Sequence, residues 1–207
     1  APLSETFKSL FQNINYRNGV ISQVHYVGAQ IMCWTYIYQY SEAIGISSEN
    51  AANYQFICFI VFLIGRAIGT YLLRFINSGK LLLQFALMAA VCVLGTVLIE
   101  GIVGLYALVG ISFFMSVMFP TIYGIALEDL DEKESKIGAA GLVMAIVGGA
   151  LMPKLQGMII DLGGSGVNDT QILGVSEVNF SFFLPLLCFL FIAYYGKKIA
   201  NESNGNL

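Results

Sequence analysis

The stretch Tyr54–Ile76 reads YQFICFIVFLIGRAIGTYLLRFI. It holds no Asp or Glu, and its only cations are Arg66 and Arg74. A helix crosses the hydrocarbon of a bilayer in about 20 apolar residues. No soluble helix needs an apolar surface of that length on every side, so this stretch reads as a membrane span. Five further runs share its character: Val20–Ser41, Leu81–Ile99, Leu105–Leu127, Ile137–Ile160 and Asn179–Gly196. A membrane barrel would instead need segments of about 10 residues with alternating polarity. These runs are longer and do not alternate, so the expected fold class is all-α, a polytopic membrane protein of six transmembrane helices.

Composition agrees. Of 207 residues, 57% are hydrophobic and 11% are charged, against about 25% charged in a typical soluble domain. Mean hydropathy is +0.75. A net charge of −3 gives no reason to expect a nucleic-acid partner. Cys33, Cys58, Cys92 and Cys188 each fall in a different apolar run, without metal-ligand spacing. They read as small buried apolar residues, with neither a disulfide framework nor a metal site expected. The chain begins Ala-Pro-Leu with no basic segment before the first apolar run, so no signal peptide is expected.

Basic residues set the direction. With six spans, one side receives Lys8, Arg17, Arg74, Lys80, Lys133, Lys136, Lys197 and Lys198, while the loops 42–53, 100–104 and 161–178 carry no Lys or Arg. That asymmetry places both termini in the cytoplasm. Glu42, Glu49, Glu100, Asp169 and Glu177 then face outward. Ahead of the first span, Leu3–Ile14 spaces its apolar residues as a helix does, with Ser4 as a candidate cap and Glu5 suited to the first turn. The expected organisation is residues 1–19 with a short amphipathic helix on the cytoplasmic interface, a six-helix bundle over 20–196, and a cytoplasmic tail over 197–207.

Within the first span, Tyr26, Gln30, Trp34 and Tyr38 recur every four residues and share one helix face. An amide turned to lipid costs free energy, so the face should meet protein or water. Aromatic rings beside an amide suit a hexose, whose hydroxyls need donors and acceptors and whose C–H faces stack on rings. A polar helix–helix contact with interfacial aromatics explains the same pattern. In the second span, Gly65 and Gly69 form a small-xxx-small pair that permits close helix approach. Arg66 needs an acidic or carbonyl partner, or reaches the interface by snorkelling. In the fourth span, Pro120 follows Ser116 and Phe119 and should kink the helix, as at many transport sites or as a structural kink alone. In the fifth, Gly141, Ala145 and Gly149 repeat every four residues beside Gly148 and argue for tight packing; Lys154 follows Pro153 toward the outer end. No Asp or Glu sits at the middle of any span, and His25, the sole histidine, reads as packed or interfacial rather than as a proton carrier. The sequence also offers no HExxH, no acid pair within a span and no serine–histidine pairing, so an enzyme is disfavoured.

An ordered set of short motifs spans almost the whole chain: Tyr26-Val-Gly-Ala-Gln30 with Cys33-Trp34, Ala51-Ala-Asn53-Tyr54, Gly65-Arg66 with Gly69-Thr70, Phe114-Met-Ser116 with Pro120-Thr-Ile122, and Val143-Met144 with Gly148-Gly149. In this set the chain resembles the C-terminal half of the fucose:proton symporter family of the major facilitator superfamily. The resemblance implies a twelve-helix fold of two halves, of which this chain supplies helices seven to twelve, with residues 1–19 ending the cytoplasmic linker. It implies proton-coupled uptake of a hexose across the inner membrane by alternating access, L-fucose favoured, with no cofactor beyond the coupling proton. The partners it implies are the sugar, the bilayer and a missing N-terminal six-helix half that carries the coupling carboxylates. It maps Gln30, Trp34, Asn53 and Phe119 to positions near or facing the cavity; with Tyr38 of the stripe and Ser116 before Pro120, these are the expected sugar-site residues. Gly65, Arg66, Gly69, Pro120, Gly148 and Gly149 follow as structural or gating residues, with no catalytic or metal-binding residue. As aligned to the L-fucose-carrying member, a Tyr stands where this chain has Phe119, so glucose, galactose or N-acetylglucosamine remain alternatives, as does a non-transporting receptor or scaffold.

Overall fold

Asn13 ends one helix and starts the next. Its side-chain oxygen accepts the Tyr16 N–H at 3.0 Å, satisfying one of the donors that every helix N-terminus leaves free. The computed structural model describes residues 3–205, and residues 1–2 and 206–207, the last of them in the expected tail, lie outside that range. A short helix α1 (Leu3–Gln12) precedes Asn13. Thr6 and Leu10 are buried, while Leu3, Phe7 and Phe11 stay exposed, as an amphipathic helix requires. Ser4 lies inside the first turn of α1 and does not cap it, because the helical backbone already includes Leu3.

Six spans follow. The first is α2 (Ile14–Thr35) continued by α3 (Ile37–Ala43); the second is α4 (Ser48–Leu72) and the third α5 (Ser78–Leu98). The fourth is α6 (Ile102–Met115) with α7 (Met118–Leu127). The fifth is α8 (Glu132–Met144), a 3-10 turn over Ala145–Val147, and α9 (Gly148–Ile160). The sixth is α10 (Glu177–Ser181) with α11 (Phe183–Gly205). Ser47, Asn77, Asp131 and Ser176 cap α4, α5, α8 and α10 with side-chain oxygens, so each span starts at a polar residue beside its apolar run. Spans two to six are long and apolar enough to cross a membrane. The first carries Asn15, Arg17, Asn18, Gln23, His25 and Gln30 and is the most polar of the six.

The expected continuous first span is broken at Tyr36 (φ −85°, ψ 5°). Its hydroxyl donates to the Pro153 carbonyl of α9 at 2.6 Å, which ties the break to the fifth span. The expected kink at Pro120 lies one turn earlier, at Ser116–Val117. Proline has no N–H, and its ring clashes with the carbonyl four residues back, here that of Ser116.

The sixth span packs against the third and the first, the third against the fourth, the second against the fourth, and the fifth against the first. Glycines allow the tightest of these crossings. A Cβ on Gly79 would meet Ala200 N at 2.8 Å, and one on Gly196 would meet Leu83 N at 2.7 Å. The core between the spans is apolar and aromatic, centred on Met32, Ile37, Tyr40, Phe85, Ile111 and Phe189. Burial is uneven: 61% of the sixth span's apolar window is covered, but only 22% of the second's and the fifth's. Of spans two to six, those two carry the largest uncovered faces.

The loop before the sixth span holds a feature outside the helical pattern. Strands β1 (Gln171–Ile172) and β2 (Val175–Ser176) pair antiparallel, Gln171 opposite Ser176. Leu173 and Gly174 both have positive φ (53° and 81°), as a two-residue hairpin turn of the primed type demands. Glu177, one of the acids expected to face outward, is fully buried beneath this hairpin. Its carboxylate accepts the N–H groups of Gly163 at 3.0 Å and Asp169 at 2.7 Å and so orders the loop.

Candidate functional site

The first span carries its polar face out of the core by degrees. Tyr26 is 1% exposed and Tyr38 is 38% exposed, with Gln30 and Trp34 half-buried between them. The break at Tyr36 adds to this, since Tyr38 belongs to α3 and no longer continues the α2 register. Gln30 makes no hydrogen bond within the described residues and is only partly buried. A half-buried amide without an internal partner is free to meet a polar ligand or water.

Above Gln30, toward α3, Trp34 is held in place from three directions. Its indole N–H donates to Ser112 Oγ on α6 at 3.1 Å. Phe59 and Phe62 of α4 meet it edge-on, with ring centroids 5.0 and 5.3 Å away. Edge-to-face aromatic pairs contribute about 0.5–1.5 kcal/mol beyond their buried area. Below Gln30, Tyr26 meets Phe119 of α7 edge-on at 6.2 Å, and Phe119 stacks on Tyr123 at 6.4 Å. Arg66 is exposed and forms no ion pair among the described residues.

The α6–α7 break lies between these two aromatic groups, and Gly65 closes on it. A Cβ at Gly65 would collide with the Phe113 carbonyl oxygen and come within 2.8 Å of Ser116 Oγ; one at Gly69 would come within 2.6 Å of Val117. Ser116 is fully buried and its hydroxyl donates to the Phe113 carbonyl at 2.6 Å, so its polar atom is spent on its own helix. Pro120 is exposed on the next turn. In the fifth span, Gly148 brings the backbone onto the Val24 carbonyl, and Gly149 lies against Val27 and Ile31. The fifth span is thereby seated on the side of α2 that bears those residues.

The structure thus gathers Gln30, Trp34, Phe119, Gly65 and Ser116 along the junction of the first, second and fourth spans, whereas the Arg66 side chain, next to Gly65 on α4, is exposed. It does not bring Asn53 there: Asn53 lies in the second turn of α4 and lines an open cavity of about 580 Å³ with Asn50, Tyr54, Ile57 and Tyr106. His25 stacks on Phe191 at 4.7 Å, and its Nδ1 lies 2.7 Å from the Ile21 carbonyl. No group of metal-ligating side chains occurs among the described residues.

Gln23 went unnoticed in the sequence. It is fully buried; its Nε2 donates to the Phe119 carbonyl at 3.4 Å, and its Oε1 has no partner. Its signal was present, since Gln23 stands seven residues before Gln30, two helical turns back on the same face. Ser112 carried no signal of its own, because only the third dimension brings it to Trp34.

No protein-family model matches the chain. It is 51% identical over 189 residues to an L-fucose-proton symporter of Haemophilus influenzae, covering 91% of this chain and 42% of that protein. A glucose/galactose transporter of Brucella abortus is 31% identical over 181 residues, covering 86% of this chain and 40% of its own length. A crystal structure of the Escherichia coli fucose:proton symporter FucP, carrying a single substitution, superposes with a TM-score of 0.85 at 31% identity, over 94% of this chain and 45% of FucP. The chain spans less than half the length of the relatives it matches.

Proposed function

We propose, from the premise that this chain is a homologue of the C-terminal half of the fucose:proton symporters of the major facilitator superfamily, that it forms the sugar-facing half of a proton-coupled hexose importer. The observation that carries this reading is Gln30: a half-buried amide without an internal partner, set between the ring of Trp34 and the Tyr26–Phe119 pair. A pyranose needs that combination, a donor–acceptor amide for its hydroxyls and flat rings for its C–H faces. In this assignment Gln30, Trp34 and Phe119 contact the sugar. Tyr38 and Asn53 meet it on the outer approach, and Ser116 with Gly65, Gly69, Pro120, Gly148 and Gly149 sets the helix geometry around it.

L-Fucose is the favoured substrate, supported by the more similar relative; glucose or galactose is the second reading, supported by the Brucella relative. The proton carrier lies outside this chain. Among these six spans no carboxylate sits at mid-depth, and Arg66 has no acid beside it. A second six-helix half, seated on the uncovered faces of the second and fifth spans, supplies both the carboxylates and the counter-charge. Residues 1–19 then end the linker between halves, 20–196 form the bundle and 197–207 the tail. The cationic loops support an inner-membrane protein with both termini in the cytoplasm.

Uptake of labelled L-fucose into vesicles, driven by an imposed proton gradient, tests the reading on the complete transporter. The expected result is accumulation that a protonophore abolishes and that Gln30→Ala reduces by at least about tenfold in affinity, the loss of one or two hydrogen bonds to a neutral ligand. Sugar affinity unchanged in Gln30→Ala removes that residue from the site. Binding of sugar without any uptake favours a receptor over a carrier.

A further inference from the structure

One cavity plays no part in the sugar reading. It lies where α1 roofs the start of α2 and one face of α8, and it encloses about 530 Å³. Phe7 and Leu10 of α1, Val20 of α2, and Ile137 and Met144 of α8 form its apolar wall. The roof is fixed rather than draped: Leu10 and Thr6 are buried, and Ser9 donates a hydrogen bond to the Glu134 carboxylate at the head of α8. Tyr16 lines the cavity too, but its hydroxyl is already given to the Gly138 carbonyl at 2.9 Å.

Arg17 is the single charged group on the lining, and no acid accompanies it there. It is exposed and belongs to no ion pair among the described residues. Ordered water needs two to four polar partners, and this wall offers essentially one side chain. Hydrocarbon fits it better. Arg17 also lies on the side of the bundle that carries the other loop cations, where a membrane-surface helix such as α1 meets lipid headgroups.

We infer that this cavity is an anionic-lipid site: one acyl chain of a glycerophospholipid of net negative charge fills it, and Arg17 holds the headgroup phosphate, which no headgroup cation neutralises. The inference needs only the membrane setting of the bundle and is independent of which sugar is carried.

Native mass spectrometry of the full-length protein tests it, with the protein released from detergent micelles doped with phosphatidylglycerol or with phosphatidylcholine of the same acyl chains. One surface cation favours the anionic lipid by about fivefold, so phosphatidylglycerol adducts should exceed phosphatidylcholine adducts by that factor. Arg17→Gln should bring the two lipids level. Ala140→Phe, which fills the cavity from α8, should lower both; Val20→Trp serves the same purpose from α2 if the first variant aggregates. Equal retention of both lipids by the unaltered protein, or adducts indifferent to the filling variant, overturns the proposal. So does a Met144→Cys variant that cross-links in membranes to polypeptide rather than to lipid, for then another part of the transporter occupies the cavity.

Discussion

Gly65 and Gly124 separate the two reasons a membrane helix keeps a glycine. Gly65 has backbone pressed against it, at the Phe113 carbonyl, whereas nothing lies within 4 Å of a Cβ built on Gly124. Gly65→Ala should therefore lower the melting temperature of the detergent-solubilised protein, at a cost of about 1–3 kcal/mol for overpacking. Gly124→Ala should leave it unchanged or raise it, by up to about 1 kcal/mol of helix propensity. Equal effects at the two sites would mean that the crossing of α4 with α6 is looser than described. Tyr40 offers a second comparison: it is fully buried and its hydroxyl lies 3.1 Å from the Ile99 carbonyl and 3.0 Å from that of Gly101. Tyr40→Phe should cost about 1 kcal/mol in the same melting experiment. At this scale the sequence was only partly legible. The Gln30 and Trp34 spacing was visible because helical periodicity is a local property. The partners of Trp34 on α4 and α6, and the spending of the Ser116 hydroxyl on its own backbone, depend on which spans become neighbours, and no local pattern encodes that.

Among the helices, two of the four interruptions are set by prolines. The break at Ser116–Val117 precedes Pro120, and the break at Phe182 precedes Pro185, each by three or four residues, the distance over which proline denies a hydrogen bond. The first was read from the sequence to within a turn. The break at Tyr36 was not, because no proline lies in the first span; its cause is the bond from Tyr36 to the Pro153 carbonyl of a different helix. Pro120→Ala returns an N–H to the Ser116 carbonyl and should straighten the fourth span. The expected outcome is retained sugar binding, within about threefold, with transport slowed more than binding, since helix discontinuities at mid-depth serve conformational change. Loss of both together would assign Pro120 to packing alone. The β1–β2 hairpin escaped sequence reading for a simpler reason: two-residue strands carry too little alternation to be recognised, and only Leu173-Gly174 with its positive φ values marks the turn.

For the molecule as a whole, the count of spans was legible because hydrocarbon thickness sets one length for all of them. Their order of packing was not, since every span is apolar enough to adjoin any other. The orientation is checked by cysteine labelling in intact cells of a background without accessible thiols: Glu49→Cys should react with a membrane-impermeant maleimide from outside, and Lys80→Cys only after permeabilisation. Reaction of Lys80→Cys from outside with Glu49→Cys reached only after permeabilisation would invert the reading of the loops, and reaction of both from one side would deny that the second span crosses the membrane. Reconstituted alone, the 207-residue chain should insert but accumulate no sugar, whereas robust proton-linked uptake by it would remove the need for a second half. The backbone approaches at Gly65, Gly79, Gly148 and Gly196 have a mechanical consequence. Helices held at such separations cannot slide without backbone striking backbone, so the second span is latched to the fourth, the third to the sixth and the fifth to the first. Under the proposed carrier function, rocking moves each latched couple whole, and the bare flanks of α4 and α9 are where the couples meet what lies beyond them.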